Sequence, residues 1–159
     1  MKEITISLQV NGERQMVVSA PNRTLLEVLR EDLGLTGAKD GCGGEGECGA
    51  CSVLMDGDPV NACLVLAGQA EGRHVVTIEG LAGEEGPHPL QKSFVELGAV
   101  QCGFCIPGAV ISAAGLLQKT QQPTEQQIRE ALSGNLCRCT GYTKMVSAVK
   151  EAAKEVPRG

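Results

Sequence analysis

The stretch Gly41-Cys42-Gly43-Gly44-Glu45-Gly46-Glu47-Cys48-Gly49-Ala50-Cys51 sets three cysteines and five glycines into eleven residues. So many glycines break a helix or strand but allow a tightly curled backbone, which can approach its own side chains closely. Cys63 follows after eleven further residues. A second group lies downstream: Cys102 and Cys105 in QCGFC, then, after 31 residues, Cys137 and Cys139 in NLCRC. All eight cysteines fall into these two groups of four. Four thiolates make the ligand set of an iron–sulfur cluster. The order C-x5-C-x2-C with a later fourth cysteine is one residue longer than the plant-type C-x4-C-x2-C pattern. The second spacing, C-x2-C and C-x-C, is not a ferredoxin spacing, and taken alone it suits a four-cysteine zinc site as well.

Outside these groups the composition narrows the field. A chain of 159 residues fits one large or two small domains. Its net charge is −5, which argues against a nucleic-acid partner. No run approaches the ~20 apolar residues of a transmembrane helix. MKEITISLQVNGERQ alternates like a strand and lacks the apolar core of a signal peptide. These features place the cysteines in a reducing, cytoplasmic setting, where metal binding is favoured over disulfides.

Read in order, Ile4, Ile6, Leu8 and Val10 alternate with polar residues as a half-buried strand, and Asn11-Gly12 turns it into a second strand at Met16–Ser19. Thr24 and Glu27 match a capping box, opening a helix with Leu25, Leu26, Leu29 and Leu33 on its buried face and Gly34 as its stop. Ser52–Met55, Pro59–Cys63 and Val75–Ile78 read as strands, with Asp56-Gly57 as the turn between the first two. Glu79 to Pro89, rich in Gly and Pro, reads as a linker. Four helices are expected beyond it: Leu90–Val100, one opening near Pro107, one behind a second capping box at Thr124 and Gln127, and a last one carrying Met145, Val149, Ala152 and Val156. The expected fold class is α+β. A ferredoxin-like domain over residues 1–80 is followed by a linker at 81–89 and a four-helix bundle over 90–159.

GCGGEGECGACSVLMDG, NACLVLA, GAVQCGFCIPG and GNLCRCTGY resemble the iron–sulfur small subunit of the molybdenum hydroxylases, the family of xanthine dehydrogenase, aldehyde oxidoreductase and carbon monoxide dehydrogenase. The likeness runs from the first strand to the last helix. It implies a plant-type ferredoxin-like β-grasp first domain and two [2Fe-2S] clusters. Cys42, Cys48, Cys51 and Cys63 would hold the cluster facing an FAD-binding medium subunit. Cys102, Cys105, Cys137 and Cys139 would hold the one facing a large subunit with the molybdopterin cofactor. It also implies that Gln101 and Cys139 lie near that partner's pterin, and that the assembly is a heterotrimer or its dimer. The family usually has four residues between its first two cysteines where this chain has five, and CTPG where this chain has CIPG, with Ile106 for Thr.

Other residues carry weaker signals. His74 and His88 stand alone without ligand spacing and read as surface residues. Tyr142 reads as packed at the bundle edge. Arg138 reads equally as solvated or as a salt-bridge partner. Lys39 beside the first loop reads as an exposed lysine, with cluster tuning as the weaker reading. The glycine-rich loop lacks the terminal Gly-Lys-Ser/Thr of a phosphate loop. Nor does the chain carry a nucleophile–base pair, so it reads as a relay rather than a catalytic centre. A radius of gyration of about 15 Å puts two clusters roughly 10–20 Å apart. The rival readings are a free-standing ferredoxin-type carrier and a zinc-stabilised interaction module.

Overall fold

The structure, a computed structural model, describes residues 3–83 and 86–156. Glu84 and Glu85 of the expected linker, and residues 1–2 and 157–159 of the two expected domains, lie outside the described residues. Strand β1 (Ile4–Val10) pairs antiparallel with β2 (Glu13–Ser19) from Ile4↔Ser19 to Val10↔Glu13. The turn takes positive φ at Asn11 and Gly12. Strand two begins three residues earlier than its apolar residues suggest, because the two-residue turn forces pairing from its first position. β3 (Ser52–Met55) and β4 (Asp58–Asn61) form a second hairpin through Asp56-Gly57. β5 (His74–Val76) joins the hairpins, parallel to β1 and antiparallel to β3, giving one mixed sheet in the order β2-β1-β5-β3-β4.

The Thr24 capping box is present: Glu27 N donates to Thr24 Oγ1 at 3.2 Å, and the Glu27 carboxylate accepts from Thr24 N at 2.6 Å. Helix α1 (Leu25–Glu27) continues as a wider π-helical turn over Val28–Asp32, so the expected single α-helix holds only for its first turn. Widening keeps Leu25, Leu26, Val28 and Leu29 buried beneath the sheet and leaves Leu33 half-buried. Two more expected strands are shorter. The return strand ends at Asn61, placing Cys63 in the following loop, and residues beyond Val76 tighten into a 3₁₀ turn at Ile78–Gly80.

The second half is helical: α2 (Pro89–Glu96), α3 (Ile106–Lys119), α4 (Glu125–Leu132) and α5 (Thr143–Glu155). The Thr124–Gln127 capping box opens α4, and Pro107 lies in the first turn of α3. α2 ends short of Val100, in a turn with Gly98 at φ 63°. α2 rests on α5, and α4 bridges α3 and α5.

This half does not close its core on itself. α3 is apolar nearly all round and packs its other side on β3 and β4, so Leu54 of the sheet belongs to the helical core. A Cβ on Gly115 would lie 2.5 Å from Pro59 Cγ, which shows how closely α3 sits on the sheet. The molecule is therefore α+β, with its two halves sharing a packed face.

Candidate iron–sulfur sites

The eight thiols pair two by two. In the first group Cys42 interacts with Cys48, and Cys51 with Cys63. In the second, Cys139 Sγ lies 3.6 Å from Cys102 Sγ, and Cys105 interacts with Cys137. Two thiolates on one metal at about 2.3 Å each stand about 3.8 Å apart in tetrahedral geometry. A two-iron cluster takes two protein thiolates per iron. The donor chemistry and its pairing fit two [2Fe-2S] clusters.

The first site is built by loop backbone. Gly43, Gly44, Gly46 and Gly49 all take positive φ, and the curl they produce aims amides at sulfur. The amides of Cys48 and Glu47, then Gly46, draw the Cys42 thiol from an ordinary value of 9.0 to about 7. Burial raises Cys48, opposed by the amides of Ala50 and Gly41. Burial first, then the adjacent Cys51 thiol, pushes Cys63 up to about 12. Asn61 Nδ2 donates to Gly46 O at 2.8 Å and Gly43 N to Asp40 Oδ1 at 2.8 Å, pinning the curl at both ends. A Cβ on Gly44 would meet nothing within 4 Å, so the extra residue of this loop has open space around it.

The second site is assembled from two distant segments. Cys105 caps α3 and Cys102 precedes it, while Cys137 and Cys139 lie in the α4–α5 loop. The helix start does not dominate: burial first, then the Cys137 thiol, pushes Cys105 up to about 12. Cys137 falls to about 7 against its burial, because the hydroxyl and amide of Thr140, and the amide of Cys139, point at its sulfur. The hydrogen bond with Cys102 raises Cys139. Gln101 Nε2 donates to Cys139 O at 3.0 Å, so the two residues singled out by resemblance are tied to each other. Around this site opens a cavity of about 530 Å³, lined by all four cysteines of the second group with Phe104, Leu136, Arg138 and Tyr142. Cys48 of the first group also lines it.

The two sites touch through backbone. Leu136 N, one residue before Cys137, donates to Cys48 O at 2.9 Å. Asn135, buried, donates its Nδ2 to Gly49 O at 3.0 Å. Glycine is required here: a Cβ on Gly49 would lie 2.2 Å from Gly134 O, and one on Gly108 would lie 2.2 Å from Gly49 O. Asn135, Thr140 and the Leu136 amide escaped the sequence reading. A polar residue or an amide beside a ligand gives no signal of its own until the fold shows what it faces.

Other side chains settle into ordinary roles. His88 is a helix cap rather than a surface residue, its Nδ1 accepting from Leu90 N at 3.2 Å, and burial lowers its pKa. Lys39 Nζ donates to Thr36 O and Gly37 O.

A [2Fe-2S] protein is the class that this fold and these two thiol sets define. Residues 8–76 match the 2Fe-2S iron-sulfur cluster binding domain, and residues 77–150 match the [2Fe-2S] binding domain. The nicotinate dehydrogenase small FeS subunit of Eubacterium barkeri is 53% identical over 154 residues, 97% of this chain and 98% of that one. Quinoline 2-oxidoreductase from Pseudomonas putida 86 superposes with a TM-score of 0.93 at 42% identity, over 98% of this chain and 96% of the matched one. The aldehyde oxidoreductase from Desulfovibrio desulfuricans gives 0.91 at 43% identity over 95% of this chain but only 17% of its own, longer chain. The chain belongs to the iron–sulfur small-subunit family of the molybdenum hydroxylases, alongside the xanthine dehydrogenases and aldehyde oxidoreductases.

Proposed function

We propose that this chain is the electron-transfer subunit of a heteromeric molybdenum hydroxylase, seated between an FAD-binding medium subunit and a molybdopterin-binding large subunit. Cys42, Cys48, Cys51 and Cys63 are the ligands of one [2Fe-2S] cluster, and Cys102, Cys105, Cys137 and Cys139 those of the other. Bound there, each cluster supplies one-electron redox chemistry, its potential set by hydrogen bonds and burial. The observation that carries the reading is the pairing of eight thiols into two sites joined by the Leu136–Cys48 hydrogen bond.

The chain's own residues hold the ligands, aim amides at sulfur and fix the two sites against each other. The second site is read as facing the molybdenum partner. Cys102, Cys139, Phe104 and Leu136 are exposed around its cavity, Gln101 is exposed next to Cys102, and Gln101 and Cys139 are assigned to the partner's pterin by likeness to the family. The first loop then faces the flavin partner. We read residues 1–80 as a β-grasp domain, 81–89 as the linker and 90–159 as a four-helix bundle docked on it. No described helix is long and apolar enough to cross a membrane, and a cytoplasmic complex is the proposed setting. The relative named nicotinate dehydrogenase makes nicotinate, or a similar N-heteroaromatic acid, the substrate proposed for the catalytic partner.

Purification of the native complex tests this. The chain is expected to elute with two larger subunits, FAD and a molybdenum–pterin, and nicotinate is expected to reduce the flavin. Elution of the iron-loaded chain alone would favour a free ferredoxin-type carrier. Flavin reduction by another substrate but not by nicotinate would overturn the substrate assignment only.

A further inference from the structure

Tyr142 has a backbone that a tyrosine adopts only under constraint. Its φ is 69° and ψ −33°, and Thr143 N donates to Gly141 O at 2.9 Å across it, making a γ-turn of the rare positive-φ hand. Gly141 precedes it at φ 67°, so a simple bend could have been completed by glycine at both positions. Strain at a non-glycine residue persists where the surroundings over-determine it, and such positions cluster at functional sites.

What holds Tyr142 is the second thiol site. Its hydroxyl accepts from Cys137 N at 2.9 Å. Its own N–H donates to Thr140 Oγ1 at 3.4 Å. Thr140 Oγ1 lies 3.1 Å from Cys137 Sγ, and Thr140 N donates to that sulfur at 3.3 Å. With its oxygen accepting from Tyr142, the Thr140 hydroxyl is left to give its own proton to the Cys137 thiolate. α5 has no side-chain cap, so capping does not explain why a tyrosine stands at this position.

We infer that Tyr142 is a positioning residue for the second cluster: its hydroxyl, by accepting the Cys137 amide, holds the 137–140 turn in the form that puts both Thr140 donors on Cys137 Sγ. This rests on Cys137 being a cluster ligand. Hydrogen bonds to a ligand sulfur stabilise the more negative, reduced state, so they raise the potential. Tyr142 thereby keeps the second potential higher than four thiolates alone would set it.

The test is potentiometric titration of the complete protein with paramagnetic detection, comparing wild type, Tyr142→Phe, Thr140→Val and the double variant. Iron content of the wild type checks the ligand assignment separately: about half the iron of two clusters would sink that assignment, whatever the variants do. Given full iron, Tyr142→Phe is expected to lower the second potential and shift its signal, leaving the first cluster unchanged. Thr140→Val is expected to shift the second potential in the same direction, and the double variant by less than the sum. An unchanged second potential, equal shifts of both clusters, or additive shifts would overturn the proposal. If Tyr142→Phe fails to hold the second cluster, Tyr142→Gly removes the strain along with the hydroxyl. It should then hold a cluster of lowered potential, and a wild-type potential in that variant would show that the hydroxyl does not matter.

Discussion

The two thiol sites solve one problem by different means. The first is mostly one loop: three of its cysteines lie within ten residues, and its own glycine-bent backbone supplies the amides that face sulfur. The second joins a helix start to a loop 31 residues away, and much of its hydrogen bonding comes from side chains, from Thr140, Tyr142 and Gln101. A site made by local backbone needs glycine and spacing. A site made by tertiary packing needs the whole helical half to be in place. The first leans chiefly on the conformation of its own backbone, and the second on side chains brought from a distance and on the positive-φ turn at Gly141 and Tyr142.

Removing one proposed ligand should separate the sites most sharply. Cys137→Ser is expected to abolish the second cluster, dropping iron from about four to about two per chain on the four-cysteine ligand count, with the first cluster's signal kept. In the assembled complex, flavin reduction by substrate should then stop. Substrate reducing flavin at the normal rate would show that the two sites do not act in series. Next comes the seam between them. Gly49→Ala forces a left-handed conformation on alanine and drives its Cβ into Gly134 O, at 2.2 Å. A loss of about 3 kcal/mol is expected, which lowers Tm by roughly 6–12 °C in a chain of this length. An unchanged melting curve would mean that the seam is loose.

Asn135→Ala probes the same seam more gently. Gly49 O keeps its bonds from Ser52 N and Ser52 Oγ, so the loss should be about 1–2 kcal/mol by denaturant titration. Both clusters should still assemble. Deleting Gly44 should do least. The loop then has the spacing usual in the family, the first cluster assembles, and only its potential moves while the second stays fixed. Loss of the first cluster would show that the longer loop is required.

The same contrast explains what could be read from the sequence. The first site was legible because most of its cysteines, its glycines and its turn signals are neighbours in the chain. Strand pairs around Asn11-Gly12 and Asp56-Gly57, and both threonine capping boxes, were legible for the same reason: each is a local rule. The π-helical widening at Val28–Asp32 was not, because it answers to burial of Val28 and Leu29 beneath the sheet. Nor was the seating of α3 on β3 and β4, since Gly115 and Pro59 say nothing of each other until they meet. Gln101 came only through family likeness. Asn135 and Tyr142 were visible as residues, but their roles depend on Gly49 and Cys137 approaching from elsewhere.

A relay through this chain depends most directly on two different clusters in one chain. Iron and sulfide analysis of the purified full-length protein, with electron paramagnetic resonance after chemical reduction, measures this in one preparation. Two overlapping signals with distinct relaxation, and about four irons and four sulfides per chain, are predicted for two four-cysteine [2Fe-2S] sites. A single signal with about two irons, or zinc in place of iron at the second site, would contradict it.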